Sequence, residues 1–366
     1  MSEIVLKSLA HTYSANPQSA EDYAIRHMEH VWHQGGAYAL LGPSGCGKST
    51  LLNIISGLLA PTEGDVMFDG HRVNELPPEE RNIAQVFQFP VIYDTMTVYD
   101  NLAFPLRNMN TPEYRVKPKV LEVADILDLT PLLSRKAKNL TADEKQKVSM
   151  GRGLVRDDVT AILFDEPLTV IDPQLKWKLR RKLKEIHERF NITMIYVTHD
   201  QLEASTFADK IAVMYEGQVV QFGTPRELFE TPAHTFVGYF IGSPGMNFFA
   251  LNYAQGTAYF GEQPLPLSDR YLRTLGRIES NNVKLGIRPE FIEVCTSAES
   301  DTLAVQKENL QDLGTYAILT FSLNQQTFKA RLPEDHPPLG ETVYIRFPDD
   351  KLSLYVDEYR VEVDHE

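Results

Sequence analysis

The segment Gly42-Pro43-Ser44-Gly45-Cys46-Gly47-Lys48-Ser49-Thr50 has the spacing of a phosphate-binding loop: a glycine, four residues, then Gly-Lys-Ser. Glycines in such a loop let backbone N–H groups curl around phosphates, and a following helix adds the positive end of its dipole. On this reading Lys48 reaches the β and γ phosphates of a nucleotide and Ser49 ligates Mg²⁺. The flanks predict the required order of elements. Ala37–Leu41 reads as a short buried strand, and Leu51, Leu52, Ile54, Ile55, Leu58 and Leu59 recur at helical spacing. A glycine turn before an ordinary core helix is the competing reading.

A second apolar run, 161–164, ends in Asp165-Glu166-Pro167, which sets two carboxylates at the tip of a buried strand. Asp165 is expected to hold Mg²⁺ through water, and Glu166 to orient or deprotonate an attacking water. Alone, an acidic strand end is more often a turn or a cap; beside a phosphate loop it reads as phosphoryl-transfer chemistry. The β-rich run 194–197 and the helix-like Gln201–Phe207 place His199 at the C-terminal end of a further strand, where α/β sheets carry ligand groups.

Taken in order, these motifs resemble the ATPase of an ABC transporter, specifically the importer subfamily related to the maltose and glycerol-3-phosphate systems. The resemblance covers most of the chain. It implies that Gln88, in Val86-Phe87-Gln88-Phe89, ligates Mg²⁺ and senses the permease, and that His199 contacts the γ-phosphate. It implies a dimer-interface position for Asp172, in Leu168-Thr169-Val170-Ile171-Asp172, and adenine stacking for Tyr13, with Tyr23 as the competing aromatic. The expected cofactors are ATP and Mg²⁺.

One segment departs from the family. Its Leu-Ser-Gly-Gly-Gln signature, which closes over the γ-phosphate held by the opposite subunit, is matched here by Leu140-Thr141-Ala142-Asp143-Glu144. Thr141 keeps a hydroxyl, but both glycines are gone and two carboxylates stand where the motif meets a polyanion. Like charges about 5 Å from a phosphate cost about 3 kcal/mol each at an effective dielectric of 20. The expectation is a degenerate ATP site. Thr141 and Glu144 also have the spacing of a capping box, which is compatible with a poor phosphate clamp.

The altered signature favours a heterodimer with a related ATPase subunit over a homodimer carrying two defective sites. Bacterial glycerol importers resemble that arrangement, so glycerol is the leading solute among small polyols and carbohydrate-like compounds. Two permease subunits and, indirectly, a solute-binding protein are the other implied partners, at the cytoplasmic face of the inner membrane. Two rival readings stand: a regulatory subunit that binds ATP with little hydrolysis, and a soluble ABC-type ATPase acting on nucleic acid or ribosomes.

The elements that must position these residues call for more than one domain. A length of 366 residues predicts two or three. Apolar residues at 43% and charged residues at 23% match ordinary globular chains and exclude disorder and fibrous repeats. A net charge of −14 is a poor match to a long phosphate backbone, so nucleic acid is not an expected partner. Cys46 and Cys295 cannot build a disulfide framework, which points to the cytoplasm, and no run approaches the ~20 apolar residues of a membrane helix.

The expected fold is α/β: an ABC-type P-loop domain over residues 1–240 with a helical insertion near 90–155, then a small all-β, OB-like barrel over 246–366. Gly242-Ser243-Pro244-Gly245 is the expected linker. Phe89-Pro90-Val91-Ile92-Tyr93, Tyr99, Leu102 and Phe104 offer an apolar groove for a permease coupling helix, divided between core and surface. The basic stretch 176–184 reads as the solvated side of an amphipathic helix whose buried face carries Leu175, Leu179, Leu183 and Ile186. In the C-terminal part, apolar residues alternate at 317–323, 328–332 and 343–347, as antiparallel strands require. Leu285-Gly286-Ile287-Arg288-Pro289-Glu290 resembles the start of the subfamily's accessory barrel.

Overall fold

A computed structural model describes residues 3–363 except Asp157, Val170, Thr296 and Ser300. Val170 belongs to the 168–172 segment and lies outside the described residues. The chain divides into two compact units, Met1–Pro225 and Arg226–Glu366.

The first unit runs β1 (Ile4–Thr12), β2 (Tyr23–Trp32), β3 (Ala37–Leu41), α1 (Lys48–Ser56), β4 (Glu63–Phe68), β5 (His71–Arg72), β6 (Ile83–Val86), α2 (Val98–Asn108), α3 (Glu113–Ile126), α4 (Ala142–Leu154), β7 (Ala161–Asp165), α5 (Pro173–Phe190), β8 (Thr193–Thr198), α6 (Gln201–Phe207), β9 (Lys210–Tyr215) and β10 (Gln218–Gly223). β2-β1-β4-β5 form an antiparallel sheet. The second sheet has the order β10-β9-β3-β8-β7-β6, parallel except for β10.

Parallel strands are buried on both faces and read as continuous apolar runs. β3 and β8 are buried at every residue for this reason. Alternate side chains then serve opposite layers. Leu40, Leu163, Ile195 and Val197 join one core with Leu51, Leu52, Ile54 and Ile55 of α1 and with Ile4, Leu6, Ile25 and Trp32 of the antiparallel sheet. Phe164 and Tyr196 face the other way, where the Tyr196 ring lies 5.1 Å from Phe207 of α6. α2, α3 and α4 pack on one another in the expected insertion, and α4 also reaches the edge strand β6.

The second unit holds α7 (Pro225–Glu230, entering from the last residue of the first unit), α8 (Thr235–Phe240), β11 (Asn247–Ala250), β12 (Asn252–Ala254), β13 (Thr257–Phe260), β14 (Gln263–Pro264), α9 (Asp269–Leu275), β15 (Val283–Ile287), β16 (Glu293–Cys295), β17 (Leu303–Asp312), β18 (Tyr316–Leu323), β19 (Gln326–Pro333), β20 (Thr342–Arg346), β21 (Ser353–Val356) and β22 (Tyr359–Val361). Its sheets are antiparallel, in the orders β11-β15-β21-β22, β12-β13-β14 and β16-β20-β17-β18-β19. The alternating residues Leu319, Phe321, Phe328, Ala330 and Ile345 meet in one core with Phe249, Leu285 and Leu354.

The division falls at 225/226, not near 240, and residues 242–245 lie inside the second unit instead of linking two units. Arg288 explains this. Its guanidinium is 1% exposed and donates to the backbone carbonyls of Leu228, Phe229, Gly238 and Ile241, so α7 and α8 are tied to the start of the β structure. Tyr355 adds a hydroxyl bond to Pro232 O at 3.0 Å. A buried cation bonded only to carbonyls cannot be released without leaving charge and acceptors unpaired.

Candidate functional site

The parallel sheet brings four sequence-distant segments to one edge. β3, β6, β7 and β8 all run the same way, so the loops leaving their C-terminal ends emerge together. These loops carry the Gly42–Thr50 segment, Gln88, Asp165-Glu166 and His199.

The loop after β3 takes its shape from its glycines. A Cβ on Gly47, at φ +99, would stand 2.4 Å from Ala24 O, and one on Gly42 would stand 2.4 Å from Met214 O, so neither position has room for a side chain. Gly47 caps α1 without a side-chain acceptor, which leaves the first N–H groups of the helix available to an anion. A Cβ placed on Gly45 would touch nothing within 4 Å, so the loop is open there. Ser44 is exposed, Pro43 half-buried and Cys46 buried. Burial pushes the Cys46 thiol up, so this cysteine is a packing residue and not a thiolate.

Lys48 is buried, and its Nζ donates to Gly42 O at 2.9 Å and Pro43 O at 2.8 Å. The ammonium thus lies curled inside the loop that would hold phosphates. Ser49 Oγ donates to Asp165 Oδ1 at 3.2 Å and joins the helix start to the end of β7. A hydroxyl beside a carboxylate is a hard oxygen pair of the kind Mg²⁺ takes when phosphate and water complete its shell. Burial raises the Asp165 carboxyl above its usual range, with the Ser49 bond opposing and the neighbouring Glu166 charge adding to the rise. These donors fit a magnesium nucleotide. Gln88 follows β6 at the same edge and is half-buried.

Glu166 has φ +46, a left-handed conformation uncommon for a residue with a side chain and typical of functional strand ends. Its amide donates to Val197 O at 3.1 Å, and His199 Nδ1 lies 3.2 Å from its Oε2. Tyr13, 68% exposed, shares a 3.2 Å hydroxyl hydrogen bond with Thr50 Oγ1, so its ring stands beside the head of α1. Tyr23 instead donates to Glu63 Oε1 at 3.2 Å, within the antiparallel sheet. Of the two aromatics, Tyr13 is the one placed at the loop.

The signature segment stands apart, at the head of α4. Thr141 Oγ1 accepts from Glu144 N at 3.2 Å and Glu144 Oε2 accepts from Thr141 N at 2.8 Å, which closes the capping box. Ala142 opens the helix, and Asp143 lies 3.6 Å from Lys147. Asp172 caps α5 through Gln174 N at 2.9 Å.

Two residues without an assigned role in the sequence link α4 to the Gln88 loop. Gln146, fully buried, donates to Phe87 O at 3.1 Å, and Arg152 donates to Val91 O while its guanidinium lies 4.8 Å from the Tyr93 ring centre. A polar glutamine at a core position of a helix is the signal that could have found the first. In this loop Phe89 and Val91 are 69% and 55% exposed, whereas Leu102 is core. The apolar groove is therefore open at 89–93 and closed at 102.

Phosphate donors at the head of α1 beside a paired set of carboxylates put the first unit among P-loop nucleoside triphosphatases. Comparison with known proteins narrows that class. Residues 25–169 match the ABC transporter family, 242–292 the MalK OB fold domain and 285–354 the TOBE domain. The sn-glycerol-3-phosphate import ATP-binding protein UgpC of Escherichia coli O157:H7 is 38% identical over 328 residues, 88% of this chain and 90% of its own. The oligosaccharides import ATP-binding protein MsmX of Bacillus subtilis is 37% identical over 339 residues, 91% of either chain. Among solved structures, cbiO1 of Clostridium perfringens, part of the ABC transporter complex cbiONQ, matches with TM-score 0.57 and 26% identity over 62% of this chain and 90% of its own. The ATP-binding cassette MJ0796, solved as a dimer in a post-hydrolysis state with ADP and Pi, matches with TM-score 0.53 and 28% identity over 60% of this chain and 98% of its own.

The chain belongs to the ATP-binding subunits of ABC importers of the maltose and glycerol-3-phosphate type. It is an ATPase whose ligands are ATP and Mg²⁺, and it works with membrane permease subunits and a solute-binding protein. Among the described residues no helix is long and apolar enough to cross a membrane.

Proposed function

We propose that this chain hydrolyses ATP with Lys48, Glu166 and His199 as its working side chains. The observation that carries this reading is the meeting of the α1 head, the Ser49–Asp165 pair and the Glu166–His199 pair at one sheet edge. Mg²⁺ held by Ser49, Asp165 and Gln88 supplies charge neutralisation at the phosphates. Lys48 exchanges its two loop carbonyls for β/γ-phosphate oxygens, and the loop from Gly42 to Thr50 adds backbone donors. Glu166 orients and deprotonates water, while His199 donates to the γ-phosphate and holds the Glu166 carboxylate in place. Tyr13 stacks on adenine.

The exposed Phe89 and Val91 receive a coupling helix of the permease, at the cytoplasmic face of the inner membrane. Gln146 and Arg152 support a mechanical link, because both tie the signature helix to that groove. The solute class proposed is a small polyol or carbohydrate-like compound, with glycerol foremost. The relatives that import sn-glycerol-3-phosphate and oligosaccharides support the class.

Asp143 and Glu144 favour pairing with a related subunit that has an intact signature, so that this chain's phosphate loop forms the competent site. The same two carboxylates support a second reading, a regulatory subunit that binds ATP with little hydrolysis. Reconstitution of the assembled importer in vesicles separates these. ATP-driven uptake of labelled glycerol that is lost with Lys48→Ala supports the first reading, and uptake unchanged by Lys48→Ala supports the second.

A further inference from the structure

One buried carboxylate next to the site has no part in the roles above. Glu203, in the first turn of α6, is 4% exposed. Its Oε2 accepts from the hydroxyls of Tyr196 at 3.1 Å and Thr198 at 3.0 Å, both on β8, and its Oε1 lies 3.4 Å from Lys176 Nζ on α5. Three elements therefore converge on one side chain.

What these elements carry gives the convergence its meaning. Thr198 immediately precedes His199, and its Oγ1 also accepts at 3.0 Å from the amide of Asp200, which immediately follows. Asp200 in turn caps α6 by accepting from Leu202 N at 2.8 Å and Glu203 N at 3.1 Å. His199 is thus bracketed by two residues that are both fixed to the first turn of α6. Lys176 lies one turn beyond Asp172, whose carbonyl accepts from the Lys176 amide at 3.0 Å. Through Lys176, the start of the helix that follows Glu166 and Asp172 is held to the turn that carries His199.

Charge makes the arrangement specific. A carboxylate removed from water needs cationic and hydrogen-bonding partners, and well-packed apolar residues would serve stability as well or better. The groups around Glu203 answer that need: Lys176 directly, and on the same helix the buried Arg180, whose charge opposes the rise of the Tyr196 phenol. Burial, followed by the Glu203 charge, pushes the Tyr196 phenol well above its usual range, so it stays a donor.

We infer that Glu203 is a positioning residue for His199, clamping the β8–α6 turn to α5 so that the imidazole stays within reach of Glu166. The inference rests on the roles proposed for His199 and Glu166. It is tested on the assembled importer by ATP turnover of His199→Ala, Glu203→Gln, Thr198→Val and the doubles with His199→Ala. Glu203→Gln keeps the shape and loses the charge, and it is expected to lower kcat about 10- to 100-fold, the scale of a small misplacement at a reacting centre, with KM for ATP unchanged. In single-turnover assays of the residual rate, it is expected to add no further loss to His199→Ala. Thr198→Val, which leaves the carboxylate in place, follows the same pattern and serves if Glu203→Gln does not fold. An unchanged kcat, a KM that rises in step with lost stability, or full multiplication of the two losses overturns the inference. Full turnover by His199→Ala overturns the proposed role of His199 and Glu203 with it.

Discussion

His199 Nδ1 stands 3.2 Å from Glu166 Oε2, although 33 positions separate the two residues in the chain. The contact follows from sheet topology: β7 and β8 are parallel neighbours with Asp165 opposite Val197, so the residues that follow each strand meet at the same level. Glu166 reaches the histidine from a left-handed backbone conformation. Glu166→Gln is expected to leave ATP binding intact and lower turnover of the assembled importer by at least 10²-fold, the lower bound for general-base catalysis. Binding of a fluorescent ATP analogue and phosphate release measure the two quantities. Wild-type turnover would remove Glu166 from the mechanism.

The signature carboxylates give the second prediction. Asp143→Gly with Glu144→Gln removes both charges yet keeps a side chain able to accept from Thr141 N, at a helix cost of about 1 kcal/mol for the glycine. In an asymmetric assembly this change is expected to alter turnover little, whereas Lys48→Ala abolishes it. A large gain in turnover from the signature change would place these carboxylates over the working site and rule out the proposed asymmetry.

Tyr13 and Tyr23 are separated by their surroundings. Stacking on a base is worth about 1–3 kcal/mol, so Tyr13→Ala is expected to weaken ATP binding about 5- to 150-fold. Tyr23→Phe, which loses a bond to Glu63 away from the loop, is expected to leave binding unchanged. Equilibrium titration with nucleotide decides the matter, and equal effects would reject the assignment of Tyr13.

His30 makes the first unit sensitive to acid. Its ring is packed at 4.4 Å from Trp32 and 4.6 Å from Phe222, and burial lowers its pKa to about 4 from 6.5. With the folded value depressed, the unfolded chain binds the proton first as pH falls. Stability is therefore full above about pH 6.5 and is lost progressively down to about pH 4, by about 3 kcal/mol at most. Denaturant unfolding at pH 7.5 and pH 5 should show the difference, and His30→Leu should reduce it. An equal pH dependence in His30→Leu would show that other groups control it.

Much of this protein is legible along the chain because its information is local. The Gly42–Thr50 spacing, the apolar strand before it, the helix-spaced apolar residues after it and the Thr141–Glu144 cap each depend on residues close in sequence, so backbone sterics and periodicity suffice to read them. The alternation at 317–332 likewise predicts β18 and β19, because a strand with one buried face must repeat every second residue. The boundary between units was different. Gly242–Gly245 has the composition of a linker, and long-range bonds, those of Arg288 to Leu228, Phe229, Gly238 and Ile241 and of Tyr355 to Pro232 among them, draw α7 and α8 into the second unit.

By itself, the amino-acid sequence determined the elements, the nucleotide chemistry of the loop and the family to which the chain belongs. Tertiary structure alone decided which of two tyrosines stands at the loop, which part of the apolar groove is open, that Gln146 and Arg152 bond to the segment after β6, and that Glu203 meets Lys176 of α5. The physical reason is that these relationships are set by the order in which parallel strands lie side by side, and strand order is a property of long-range pairing that no local pattern encodes.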